Sequence, residues 1–367
     1  MHANFKYGDL EDIAEKVEAG ERLSREDGVR LLESGDLLAV GRMADLARIR
    51  KHGDRVYFIL NRHINHTNVC VNRCKFCAFG RDEGDPGAYT LSLEEVEAKA
   101  ADFRDRGISE IHIVGGLNEK LGLDYYSEML RRVRRALPGV KIQSFTAVEI
   151  DYLARTNGIP VQRVLAILKE AGLDSLPGGG AEVFSPRVRD LVCAKKISGE
   201  RWLEVHEAAH RIGMRTNATI LYGHVETLEE RIDHLVRLRD LQDRTGGFLA
   251  FIPLAFHPRN TGLDRDGVYG TTGYDDLKML AVSRLMLDNF DHIKAFWIMV
   301  GTKIAQVSLS FGVNDLDGTV EEEKIVHDAG AETGQQLPQE EIVRIIRAAG
   351  RTPVERDTLY NVIRIYE

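Results

Sequence analysis

Three cysteines fall within eight residues, in the run Cys70-Val-Asn-Arg-Cys74-Lys-Phe-Cys77. The chain is long and holds one further cysteine, Cys193, so the cluster reads as a metal site and not as a disulfide framework. Three thiolates on one short loop can hold three irons of a four-iron cubane. The fourth iron is then open to chelate a small molecule. A structural zinc ion is the competing reading. It wants four ligands, and His63 or His66 could supply the last. Cys193 stands far downstream and reads as a small buried hydrophobe.

Other chemistry-bearing residues gather where short apolar runs end. Gly115-Gly116 follow EIHIV, and Gly178–Gly180 precede Ala181 and Glu182. His66, Asn217, Tyr222, His224, His257 and Arg259 lie near the ends of other runs and are candidate contacts for a polar ligand. Asn217 and Tyr222 are five apart on one run, so strand alternation puts them on opposite faces unless the strand ends before Tyr222. His224 and Glu226 have the form of a metal pair, but no further ligands accompany them, and a loop network before the next helix is favoured. His206-Glu207-Ala-Ala-His210 has the letters of a zinc protease helix; its place on an outer helix argues against that role.

The elements that must position these residues alternate. The runs VYFILNRHINHTNV, EIHIVGG, VKIQSFTAV, LDSLPGG, TNATILYG, GFLAFIPLAF, IKAFWIMV and QVSLSFGV read as strands with amphipathic helices between them. Ser92 with Glu95, and Thr227 with Glu230, form capping boxes, while Pro160 and Gly172 bracket a third helix. Eight such units predict an α/β fold of the (β/α)8 TIM-barrel type, whose strand-end loops share one mouth. Residues 1–52 read as a helical lead-in, 53–315 as the barrel and 316–367 as an extension packed on it.

With Phe76 before the last cysteine, the C-x3-C-x2-C spacing resembles the radical S-adenosylmethionine superfamily. The resemblance implies a 4Fe–4S cluster on Cys70, Cys74 and Cys77, its open iron chelated by S-adenosylmethionine as co-substrate. It places Phe76 against adenine and gives the methionyl amine to Gly115 and Gly116. Leu117 stands where an acidic residue is common, so backbone carbonyls must carry that contact. Ser144, Glu182 and Asn217 are the remaining cofactor contacts it suggests, with His66, Tyr222 and His257 as catalytic candidates.

Finer segments, including DSLPGGGAEVFSPRVR, TNATILYGHVETLEERIDHL and TGGFLAFIPLAFHPRNT, are similar to the aminofutalosine synthases of the futalosine menaquinone route. Their sister cyclases, which act on dehypoxanthine futalosine, share several of these segments. Ile220-Leu221-Tyr222 and Pro253–Pro258 separate the two. The resemblance implies addition of a 5′-deoxyadenosyl radical to an enol-ether benzoate, with an electron from a low-potential donor such as flavodoxin or ferredoxin. A zinc-binding protein or a non-catalytic iron–sulfur protein are the readings from other classes.

Composition narrows the partners. A net charge of −8 with mixed signs gives no case for nucleic acid. No run approaches the ~20 apolar residues of a membrane span, and the opening residues lack a signal-peptide plan. The expected location is cytoplasmic.

Overall fold

A computed structural model describes residues 5–367. Its strands are β1 (Arg55–Ile59), β2 (Asn61–Ile64), β3 (Glu110–Ile113), β4 (Lys141–Ser144) and β5 (Thr216–Tyr222). They continue as β6 (Phe248–Ala255), β7 (His292–Ile293), β8 (Asp315–Gly318), β9 (Thr352–Arg356) and β10 (Val362–Ile365). Three helices, Glu11–Ala19, Arg25–Glu33 and Leu37–His52, precede them.

Parallel pairing joins β2–β3–β4, β5–β6–β7 and β8–β1–β9, with β10 antiparallel on β9. Isolated parallel bridges link these groups: Gln143 to Ser175, Leu176 to Thr216, and Lys294 to Asp315. Segment 55–64 is interrupted only at Leu60, so its two halves pair with different neighbours. β9 takes one edge of the lower half, and β3 takes over beside Asn61. The architecture is parallel α/β, with the buried apolar faces of the intervening helices packed on the strands.

Helix boundaries follow local chemistry. Ser92 and Glu95 cap Leu93–Ala101 reciprocally, and Thr227 with Glu230 does the same for Leu228–Thr245. Pro160 is the N-cap of Val161–Ala171, which ends at Gly172.

The eighth expected strand is corrected. QVSLSFGV is the end of the helix Trp297–Ser308 and the turn after it; the strand is Asp315–Gly318. A short apolar run does not distinguish buried helix from buried strand. The true strand hid because its polar side chains are paired inside the fold: Asp315 with Arg356 and Asp317 with Lys294, each at 2.7 Å. IKAFWIMV likewise gives only Ile293 to the strand His292–Ile293 and then enters the helix Trp297–Ser308, and LDSLPGG contributes single bridges. β9 was not anticipated, although it pairs along the whole of β1.

Candidate active site

The cysteine loop begins three residues after Thr67, just beyond β2, and is tied down by backbone bonds. Cys70 N–H donates to Arg81 O at 3.0 Å, Val71 N–H to Leu117 O at 3.0 Å, and Lys75 N–H to Val192 O at 2.9 Å. Arg73 holds a left-handed backbone at φ 44° between the first two cysteines, and its guanidinium donates to Gly80 O. Such non-glycine conformations persist where surrounding structure over-determines them. Burial pushes the Cys74 thiol up to about 12 and raises Cys77 as well.

All three cysteines line one cavity of about 650 Å³. Phe76, Gly115, Gly116, Glu182 and His257 share that lining. The glycine pair is a steric requirement. A Cβ on Gly116 would sit 2.3 Å from Val69 O and 3.0 Å from the Cys70 Cβ, and one on Gly115 would meet His66 Cε1 at 2.6 Å. The loop after β3 therefore lies flat against the loop that carries the thiols.

Glu182, at φ 47°, bonds Lys196 at 2.5 Å, and the Lys196 ammonium lies 5.1 Å from the Phe76 ring centroid. Burial lowers the Lys196 pKa, but the neighbouring Cys74 and Glu182 outweigh it and hold the ammonium charged.

Six of the expected site and contact residues stand outside this lining, His224 among them. Ser144 is buried and donates to Ile113 O at 2.7 Å. Tyr222 points away, its hydroxyl donating to Asp276 at 2.7 Å on the helix Gly273–Met286, while Thr219 and Leu221 line the cavity. Strand alternation puts Asn217 on the face of Thr219 and Leu221, below the cavity, its Oδ1 unpartnered. His66 packs edge-on against Tyr126 with neither ring nitrogen bonded, and burial lowers it to about 4. His257 does line the cavity, with Nε2 bonded to Met299 O at 3.0 Å. Arg259 pairs with Glu332 at 2.9 Å near the surface.

The comparisons add a second line. Residues 64–238 match the radical SAM superfamily and residues 245–367 the CofH/MqnC C-terminal region. An aminodeoxyfutalosine synthase of Thermus thermophilus is 49% identical over 97% of this chain and 96% of its own length. The chain belongs to the radical S-adenosylmethionine superfamily. A synthase of the same name from Streptomyces coelicolor is 43% identical over 97% of this chain and 94% of its own length. A 5-amino-6-(D-ribitylamino)uracil–L-tyrosine 4-hydroxyphenyl transferase of Methanopyrus kandleri is 44% identical over 90% of both chains. The fold is shared with methylornithine synthase, at TM-score 0.74 and 19% identity, covering 93% of this chain and 97% of that one.

As a radical SAM enzyme, the chain implies a 4Fe–4S cluster and S-adenosylmethionine. Two other sequence motifs had the form of metal sites. His206 and His210 both bond the Thr216 hydroxyl at 2.9 Å, and His206 stacks on Trp202, which makes HEAAH a packing motif. His224 and Glu226 form the loop network ahead of the Thr227 cap: Glu226 accepts from Gly223 N–H and His224 N–H and pairs with Arg231.

Residues not singled out from sequence also line the cavity: Lys196, Glu149, His112 and Lys294, beside His63, which the sequence offered only as a zinc ligand. No motif marks them; they are single polar letters on strands or helix starts, made visible only by the folded chain. The segment after β8 also reaches the cavity, through Glu323, Val326 and Ala329. No helix among the described residues is long and apolar enough to cross a membrane.

Proposed function

We propose that this radical SAM enzyme is an aminodeoxyfutalosine synthase. It joins the 5′-deoxyadenosyl group of S-adenosylmethionine to 3-[(1-carboxyvinyl)oxy]benzoate, with loss of carbon dioxide, to give 6-amino-6-deoxyfutalosine for menaquinone. The observation that carries this reading is the 49% identity over nearly the whole chain to a protein of that name. The eight parallel segments, followed through their bridges from β2 round to β8 and back to β1, read as one (β/α)8 barrel with the cavity at its mouth.

The residues fit the cofactor. Three thiols face one cavity, on a loop so close to the next strand end that Gly116 leaves no room for a Cβ. Cys70, Cys74 and Cys77 would each hold one iron of a 4Fe–4S cluster, the fourth iron being left for S-adenosylmethionine. When bound, this pair would supply the 5′-deoxyadenosyl radical after one-electron reduction by a donor such as flavodoxin or ferredoxin; the overall reaction is redox-neutral, so that electron is given back as carbon dioxide leaves.

The chain's own residues do the positioning. Glu182 accepts ribose hydroxyls, a carboxylate being the stronger acceptor for them. Phe76 offers a flat face to adenine, and the Gly115–Gly116 backbone receives the methionyl amine. Leu221, Ile252 and Leu254 wall one side of the cavity and keep water from a carbon radical. His257, lowered by burial, stays neutral near pH 7 and offers its remaining ring nitrogen as an acceptor.

The 44% identity to the hydroxyphenyl transferase supports a second reading, transfer of a 4-hydroxyphenyl group from L-tyrosine to the aminouracil. The dehypoxanthine futalosine cyclase is a third. Mass spectrometry of anaerobic reactions with each substrate set separates them: the synthase reading requires the 6-amino-6-deoxyfutalosine mass from the enol-ether benzoate alone.

A further inference from the structure

The cavity's inner end is built differently from its mouth. His63, His112 and Gln143 are direct register partners across β2, β3 and β4, and all three line the cavity. The two imidazoles stack with centroids 4.7 Å apart, and His112 Nδ1 meets Gln143 Oε1 at 3.2 Å. From the other side Lys294 and Asp317 close the row, paired at 2.7 Å and almost fully buried. A barrel interior of this kind is ordinarily filled by layers of branched apolar side chains. Here one half is polar, while β5 and β6 contribute Leu221, Ile252 and Leu254.

Such a floor is costly unless something completes it. Lys294 has three ammonium hydrogens and spends one on Asp317. Among the described residues nothing hydrogen-bonds the His63 ring, and burial, reinforced by His112, holds it neutral with one N–H to give. Glu110, two residues below His112, takes the Thr358 hydroxyl at 2.8 Å on one oxygen and the Asn61 amide at 3.5 Å on the other, which lies 4.0 Å from His112 Nδ1. The free hydrogens belong to a cation and an imidazole facing an apolar wall. Their complement is an aryl carboxylate.

We propose that Lys294, with His63 beside it, receives the ring carboxylate of the substrate, whose arene lies on Leu221, Ile252 and Leu254. This rests on the synthase reading. The enol-ether carbon that is attacked must face the cysteine loop, so the ring carboxylate, at the other end of the molecule, points to the floor. Asp317 balances the ammonium while the subsite is empty, and Lys294 then serves both carboxylates.

Equilibrium titration of the full chain tests this. The probes are 3-[(1-carboxyvinyl)oxy]benzoate and 2-phenoxyacrylate, which lacks the ring carboxylate. Wild type is expected to bind the benzoate at least tenfold more tightly. Lys294→Gln should bind both alike, and Lys294→Arg should keep part of the preference. The proposal is overturned if wild type shows no preference, or if Lys294→Gln retains it while melting cooperatively. The parent reading is judged separately, by whether reconstituted wild type turns the benzoate into 6-amino-6-deoxyfutalosine.

Discussion

The Lys196 ammonium bonds the Glu182 carboxylate at 2.5 Å inside the cavity that the three cysteines line, with both side chains largely withdrawn from solvent. Removing one member leaves the other as an unpaired buried charge, which costs roughly 3 kcal/mol or more. Lys196→Met should therefore lower the denaturation midpoint of the metal-free chain, and the double variant with Glu182→Gln should recover part of the loss. Both should weaken S-adenosylmethionine binding. A Lys196→Met protein with wild-type stability would show that the pair is not formed.

Gly116 provides a sharper probe of the thiol loop. A methyl group there would come within 2.3 Å of Val69 O, so Gly116→Ala must displace the segment that leads into Cys70. After anaerobic reconstitution this variant should carry less than about half the iron of wild type, by the same logic that makes metal affinity depend on ligand placement. Gly35, whose Cβ position is open, is the control, and Gly35→Ala should load normally.

Glu149 sets a pH dependence. Burial pushes its carboxyl from 4.5 up to about 7, against hydrogen bonds from Thr146. The folded chain thus keeps a proton that the unfolded chain gives up above pH 4.5. The group's stability contribution is complete below that value and is lost as pH rises through about 7, by up to ~3 kcal/mol at ~1.4 kcal/mol per unit. Glu149→Gln should flatten this slope and melt higher than wild type at pH 8. An unchanged slope would remove Glu149 as its source.

Much of this was legible in the residues themselves. The thiol spacing, the glycine pair and Glu182 announce a shared mouth because each breaks the pattern of its strand end. Tyr222 misleads by one position: strand alternation turns it toward Asp276 and gives the cavity to Leu221. Ser144 misleads because a hydroxyl on a strand can satisfy itself on the neighbouring strand's carbonyl. Lys196 and Lys294 were invisible for the opposite reason. A lysine usually reads as surface, and only long-range pairing with Glu182 and Asp317 draws these two inside.

The HEAAH segment gives a prediction against metal. His206 is fully buried, stacked on Trp202 at 3.7 Å and bonded to Thr216. His206→Ala should cost about 2–4 kcal/mol through the lost packing and leave the metal content per chain unchanged. Loss of a stoichiometric zinc ion in that variant would reinstate the protease-like reading.

On the proposed reading, the thiol loop and the amphipathic cavity serve one radical addition to an enol-ether benzoate. The most direct measurement is mass spectrometry of the anaerobically reconstituted chain, reduced in the presence of S-adenosylmethionine and 3-[(1-carboxyvinyl)oxy]benzoate. The expected products are 6-amino-6-deoxyfutalosine with one methionine and one carbon dioxide per turnover, and none from a Cys74→Ala variant. Failure to form that product, with 4-hydroxyphenyl transfer appearing instead when L-tyrosine and the ribitylaminouracil are supplied, would contradict it.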